Sequence, residues 1–274
     1  MLRRAFLAAG LFLSLTGIAN ATLALDGTPA GAVANNASTV NIPSVNTVAA
    51  NDIVIVCSLA EWLNATGASG TVASISGGSL TWAKRSSATL HGGTGTAWQD
   101  LECWWAYSAS IQAGMSVTVT WNLPSATNFD GASAVGFAVK GFLGTNYQTN
   151  PWDSNGALPA IATSSGTSAP TLSTLSTTSA NAFLIGAVGT TANTNWSAQA
   201  GTGYTFAANG FSFAGTNWAS SGAEYQVVSA TQSGATVSWA ASAVGWTLIG
   251  DALAESGGSG VATVHTFTLL GVGQ

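Results

Sequence analysis

Few side chains in this 274-residue chain can do chemistry: two histidines, two cysteines, ten carboxylates and five cations. Nucleophilic catalysis needs a base beside Ser or Cys. His91 falls in a glycine-rich turn (LHGGTGT) and His265 in a strand-like run (VATVHTFTLL), and neither is accompanied by a G-x-S-x-G elbow. Both read as incidental. Glycoside hydrolysis needs two carboxylates flanking one bond. Glu102 and Glu224 are the candidates, since an internal repeat places each at the start of a strand. The simpler expectation is an ion pair of Glu102 with Lys84 or Arg85 across neighbouring strands. Lys140 ends an apolar strand, and its expected partner is Asp130, Asp153 or Asp251. Asp153-Ser154-Asn155-Gly156 starts like a calcium loop but lacks the remaining ligands, and an Asx turn accounts for it. No catalytic residue, metal or cofactor is therefore assigned.

Aromatic and sulfur chemistry is better represented. Cys57 and Cys103 are the only thiols. An even pair in an exported chain suggests one disulfide, the alternative being two buried free cysteines in apolar runs. Of the 11 Trp residues, Trp62, Trp98, Trp152 and Trp218 sit in loop-like contexts, where an indole can stack on a sugar, anchor an interface or seal the end of a core. Trp104 and Trp105 are adjacent and must face opposite sides of a strand. If Cys57 and Cys103 pair inside, Trp105 and Tyr107 share their face and Trp104 points outward. The sequons at Asn36, Asn64 and Asn195 matter only in a host that glycosylates Asn.

The elements that must position these residues are strands. Period-two segments with β-branched or aromatic content run over Asp52–Leu59, Gly70–Trp82, Leu101–Ser108, Ser116–Trp121 and Ala132–Val139, and again over Phe183–Val188, Ala223–Ser229, Ala235–Trp239, Gly245–Leu253 and Val261–Leu269. Gly, Ser, Asn and Thr clusters separate them at short spacing, which predicts an all-β antiparallel sandwich. Leu158–Ser179 looks like a linker, but alternating Thr171, Leu172, Thr174 and Leu175 predict an edge strand, with Pro170 tolerated at its start. The segment ending Asn51 before DIVIV aligns with the one ending Asn181 before AFLIG, 130 residues on. Strands led by Glu102 and Glu224, and strands ending at Trp121 and Trp239, continue the match. The chain thus divides into a first β half, 22–144, and a second, 145–274, expected to pack as one body rather than as two tandem sandwiches.

Residues 1–21 (MLRRAFLAAGLFLSLTGIANA) have a basic start, an apolar run and an A-x-A site, the layout of a secretory signal or, if uncleaved, an N-terminal anchor. No other apolar run reaches the length of a membrane span. Only 5% of residues are charged, where about a quarter is usual. Five scattered cations cannot form a nucleic-acid groove, and 47% hydrophobic content excludes intrinsic disorder. Helical bundles need charged outer faces that are missing here.

The motifs GSLTWAKR (78–85), LECWWAYS (101–108), PWDSNGALPA (151–160) and AEYQVVSATQSGATVSW (223–239) resemble a loosely defined jelly-roll or lectin-like β-sandwich family. It occurs in phage virion proteins, such as tail fibres and head-surface proteins, and in secreted bacterial surface proteins. The resemblance implies a non-enzymatic role in surface display, assembly or adhesion, and the leader is a departure from the virion members. The expectation is an extracellular, cell-surface or virion-surface structural subunit that self-associates into a homo-oligomer. A glycan-binding adhesin using loop Trp residues is the alternative, and a secreted hydrolase a distant third. No nucleic acid is expected as partner, and a membrane only through residues 1–21.

Overall fold

The computed structural model describes residues 22–63, 69–91, 97–122, 128–211 and 219–254. The leader, the Asn64 sequon, Trp218, His265 and the strand expected over Val261–Leu269 lie outside them, as do the side chains of His91 and Asp130. Among the described residues there is no α-helix; the molecule is an all-β sandwich of antiparallel sheets.

The first half contributes β1 (Ala24–Asn35), β2 (Thr39–Val45), β3 (Asp52–Leu63), β4 (Thr71–Ser76), β5 (Ala83–His91), β6 (Ala97–Ser108), β7 (Met115–Asn122) and β8 (Asn128–Lys140). After a 3-10 turn at Asn146–Gln148 come β9 (Ala160–Ser168), β10 (Thr171–Leu175), β11 (Ala182–Thr190), β12 (Thr205–Gly210), β13 (Ser220–Val228), β14 (Ala235–Ser238) and β15 (Ala243–Ala254). Two five-stranded sheets form, β1-β8-β3-β6-β5 and β12-β13-β11-β15-β9, with β2-β7-β4 outside the first and β10-β14 outside the second. Read from its other edge, the second large sheet repeats the order of the first, β9 standing for β1 and β12 for β5.

Period-two patterning dictates the layers, because the central strands are apolar on both faces. In β3, Ile53, Ile55, Cys57 and Leu59 face the opposite large sheet, while Val54, Val56, Ala60 and Trp62 face the outer three-stranded sheet. In β11, Phe183, Ile185 and Ala187 face the first half and Leu184 and Val188 face the outer pair. Three cores result, and the middle one draws on both halves. Edge strand β9 and the short β10 occupy the stretch that could pass for a linker, with Pro170 just ahead of β10.

The repeat extends to single hydrogen bonds. Asp26 accepts from the N–H groups of Val48 (2.7 Å) and Ala49 (3.0 Å). Asp153 does the same for Thr178 (2.9 Å) and Ser179 (2.8 Å). Thr47 and Gln112 exchange bonds that Thr177 and Gln232 reproduce. β-Bulges recur too, between Lys84 and Ser86 in β5 and between Phe206 and Ala208 in β12.

An approximate two-fold axis must therefore run between the large sheets, and equivalent residues meet on it. Leu59 and Gly189 are such a pair, each lying 7 residues into its strand's shared register from Asp52 and Ala182. A Cβ at Gly189 would stand 2.6 Å from Leu59 Cδ1. One side chain fills the space and its counterpart is absent. Gly189→Ala should cost about 1–3 kcal/mol by overpacking, read as a lowered urea midpoint, and the Leu59→Ala, Gly189→Ala pair should show favourable coupling. Simple additivity of the two changes would refute the arrangement.

Candidate functional site

The described carboxylates are Asp26, Asp52, Glu61, Asp100, Glu102, Asp153, Glu224 and Asp251, and every one is buried, from 0% to 4% exposed. The three described cations are all committed. Lys84 Nζ lies 2.6 Å from Glu102 Oε1, as its position on the neighbouring strand leads one to expect. Trp104 Nε1 donates to the other oxygen of Glu102 at 2.8 Å. Trp104 is consequently held against the outer core, so both adjacent indoles pack inside, one on each face of the sheet.

Arg85 does not join Glu102. It is the extra residue of the β5 bulge, which turns its side chain to the face shared with Ser86 and hence toward the other half. Its Nε and an Nη donate to the two oxygens of Asp251, at 2.8 and 3.1 Å, and its guanidinium lies 4.6 Å from the Trp152 ring centre. Burial raises the Asp251 pKa, and the Arg85 bonds and charge oppose that. Register makes Ala207 and Phe137 the repeat equivalents of Arg85 and Asp251, since Ile55 pairs with Phe137 where Ile185 pairs with Asp251. One side of the axis thus carries a buried ion pair and the other an apolar pair.

Lys140 reaches neither Asp153 nor Asp251 but Asp26, at 2.9 Å, because β8 pairs with β1 and brings Ala24 opposite Lys140. Burial, then the Asp26 charge, raises Asp52 beside this pair to about 7. Asp153 instead closes the Asx turn with Asn155 N–H (2.9 Å) while holding Thr178 and Ser179. Its carboxyl is raised by burial but held net below its ordinary value by those donors. Among the described residues no cluster of His, Cys, Asp and Glu could hold a metal.

Glu102 and Glu224 are not equivalent positions. Glu224 pairs with Gly186, the counterpart of Val56, whose own partner is Trp104. The two glutamates therefore sit two residues out of register. Likewise Trp239 N–H bonds to Pro170 while Trp121 N–H bonds to Ser38, which places Trp239 level with Val119 rather than with Trp121. More decisively, Glu102 faces the outer layer of the first half and Glu224 that of the second, with both large sheets between them. They cannot flank one glycosidic bond. Glu224 accepts from Gly201 N–H at 2.7 Å, and burial lifts its pKa to about 8.

The disulfide forms between directly opposed residues of β3 and β6, Cys57 and Cys103, at a sequence separation of 46, and no described cysteine is free. Tryptophan placement departs from the loop reading. Trp62 is fully buried because β3 continues through it, and Trp152 is 5% exposed, wedged between Arg85 and an edge-on Trp105 at 6.4 Å. Trp98 and Trp104 are half-buried against the outer core, so no described Trp projects into solvent.

A groove of about 670 Å³ opens at one end of the first half, with Trp105 and Tyr107 in its lining. β6 outruns its neighbour β5, whose pairing stops at Ala83 opposite Trp105. The β4–β5 turn, Gly78–Thr81, and the 3-10 segment at Gln148–Thr149 line the groove beside these rings. Neither ring was singled out as a site from sequence, since nothing local tells where a neighbouring strand will end. No family model, curated protein or solved structure matches the chain.

Two outcomes follow from the buried charges. Arg85→Ala should destabilise by about 3–5 kcal/mol, because it strands the Asp251 carboxylate; adding Asp251→Phe, which copies the apolar pair across the axis, should recover most of the loss in denaturant titrations. Asp52, Asp100 (about 6), Glu224 and Asp251 all titrate above their unfolded values, chiefly through burial. The folded state then holds more protons than the unfolded, and stability falls as pH rises from about 4 to 8. Asp26 and Asp153, shifted down, act oppositely and only below about pH 4. Thermal melts should give a higher Tm at pH 5 than at pH 8.5, with the difference reduced in Glu224→Gln; a Tm that climbs toward pH 8.5 would contradict these shifts.

Proposed function

We propose that this chain is a non-enzymatic structural subunit that self-associates at an exported surface, as part of a surface layer, filament or virion. One observation carries the reading: among the described side chains every carboxylate is buried and each of the three cations is bound to one, so that Lys84 and Lys140, 38% and 39% exposed, are the main charges on a surface otherwise rich in Gly, Ala, Ser, Thr and Asn. Such a surface has few exposed charges to be desolvated when two copies meet.

Val48, Ile111, Leu143, Ile161, Val227 and Val244 are the exposed large apolar side chains among the described residues, and the first two are neighbours. Val48 and Ile111 are 64% and 55% exposed, and the Thr47–Gln112 backbone bond (2.9 Å) brings their segments together at one end of the first half. The equivalent positions of the second half are Thr178 and Thr231, so the two ends differ in stickiness. An apolar pair at one place and hydroxyls at its repeat equivalent suit a contact between unlike surfaces better than one between like surfaces. The apolar leader-like segment 1–21 and the disulfide both suit an oxidising, extracellular setting.

Light scattering coupled to size-exclusion chromatography, with electron microscopy, checks this on the chain from Thr22 onward. Particles larger than one chain should appear and grow with concentration. Val48→Asp combined with Ile111→Asp should raise the concentration needed at least tenfold. A wild-type protein that stays monomeric at every concentration would overturn the proposal.

A further inference from the structure

The internal repeat builds two grooves, and only one is furnished. The Trp105–Tyr107 groove has a counterpart of about 300 Å³ in the second half, where Val227 stands for Tyr107, Ser229 for Ala109 and Thr22 for Thr149. Two half-units with the same backbone bonds thus present an aromatic platform at one end and a bare valine, 46% exposed, at the other. Register puts Tyr225 at the place of Trp105 and Val227 at that of Tyr107, so the aromatic pair is complete only in the first half.

We propose that the Trp105–Tyr107 groove is a binding site for a neutral saccharide. Its rings are set in place before any ligand arrives. Tyr107 Oη donates to Asn51 Oδ1 at 2.6 Å and meets Tyr147 edge-on at 5.8 Å, and Tyr147 stacks on Phe142 at 4.7 Å. Trp105 leans edge-on against Trp152, which the Arg85 guanidinium covers on its face. Half-buried rings of this kind offer flat faces to the C–H side of a pyranose at little cost in side-chain entropy.

The remaining lining is amide, hydroxyl and backbone, including Gln112, Gln148, Thr149 and Ser110, and it contains no Asp, Glu, Lys, Arg or His. A phosphate, a sulfated sugar or a carboxylate would find no counter-charge there, whereas sugar hydroxyls would find donors and acceptors of matching kind. Gln112 is fixed by donating to Ser108 Oγ at 2.8 Å, and a Cβ on Gly78 would approach its Oε1 to 2.7 Å, so the β4–β5 turn closes against that amide. The groove is open to solvent and its volume lies within the usual range of about 300–1,000 Å³ for small-molecule sites.

The test is a glycan array carrying both neutral and anionic oligosaccharides, followed by calorimetric titration of the best ligand into the whole chain from Thr22. At least one neutral glycan should bind saturably. Tyr107→Ala should weaken it at least tenfold, and Val227→Ala, at the equivalent place in the other groove, should leave it unchanged. Gln148→Ala, on the exposed rim, should weaken it too, and serves if Tyr107→Ala melts markedly earlier than wild type. A blank array, binding confined to anionic glycans, or affinity indifferent to both Tyr107→Ala and Gln148→Ala would overturn the site. Self-association is read separately by light scattering, so loss of one result leaves the other standing.

Discussion

Two copies of one half-unit can bury their large sheets against each other only if the residues on their shared axis avoid collision. At the centre of this molecule that condition is met by inequality: Leu59 occupies the space and Gly189 vacates it. The rest follows from that contact. It sets the approach of β3 to β11, and with it the placement of Phe137, Ile185 and Ile249 in the middle core. It also sets how far the bulged edge strand β5 overlaps β15, and so where Arg85 meets Asp251. A duplicated sequence would clash with itself here, and divergence at one position relieves it.

The buried carboxylates show a second consequence of duplication. Where the halves keep a common backbone need, they keep the acid: Asp26 and Asp153 each tie down two N–H groups of a corresponding turn. Where they diverge, the acid is paired with a cation in one half and replaced by an apolar residue in the other, as with Asp251 and Phe137. The cation Lys140 likewise has Ala254 as its register counterpart, and the buried Asp52 beside it has Ala182. Replacing a buried ion pair by apolar residues is often neutral for stability. The second half has lost the cations by that route and carries no Lys or Arg among its residues, although it keeps the acid Asp251 that Arg85 of the first half meets.

The all-β class, the central strands and the disulfide were legible in the sequence, because period-two patterning and an even cysteine pair act locally or through compartment. The edge strands β1, β5, β9 and β12 and the outer β2 were not, and the strand expected over Gly70–Trp82 ends at Ser76, where Gly77 and Gly78 turn the chain. The repeat was legible in its turns and less so in its strands. β6 and β13 look alike through Glu102 and Glu224, yet the ladder places them two residues apart, a slip that preserves the face of the sheet and so leaves no trace in the hydrophobic pattern. Partner choice was legible only for Lys84, whose acid lies on the adjacent strand. Lys140 finds Asp26 through the β1–β8 pairing of distant segments, and Arg85 changes face at a bulge that no residue type announces. Trp62 and Trp152 looked like loop residues because β3 runs beyond its apolar core stretch and the cover over Trp152 comes from another sheet. The groove depends on where β5 stops, which is a property of the ladder and not of β6.

Carrying its charges inside also changes what the solvent can do to this molecule. Dissolved ions act on proteins mainly by screening exposed charges over about a Debye length. Here the described carboxylates are out of water and the cations are tied to them. Of the described charges, ionic strength mainly reaches the half-exposed ammonium groups of Lys84 and Lys140. Solutes that act through water itself, strengthening or weakening the burial of neutral surface, keep their full effect. The environment therefore addresses this surface through hydration, so that drying, osmolytes and strongly hydrated salts weigh more heavily on it than the salinity of its surroundings.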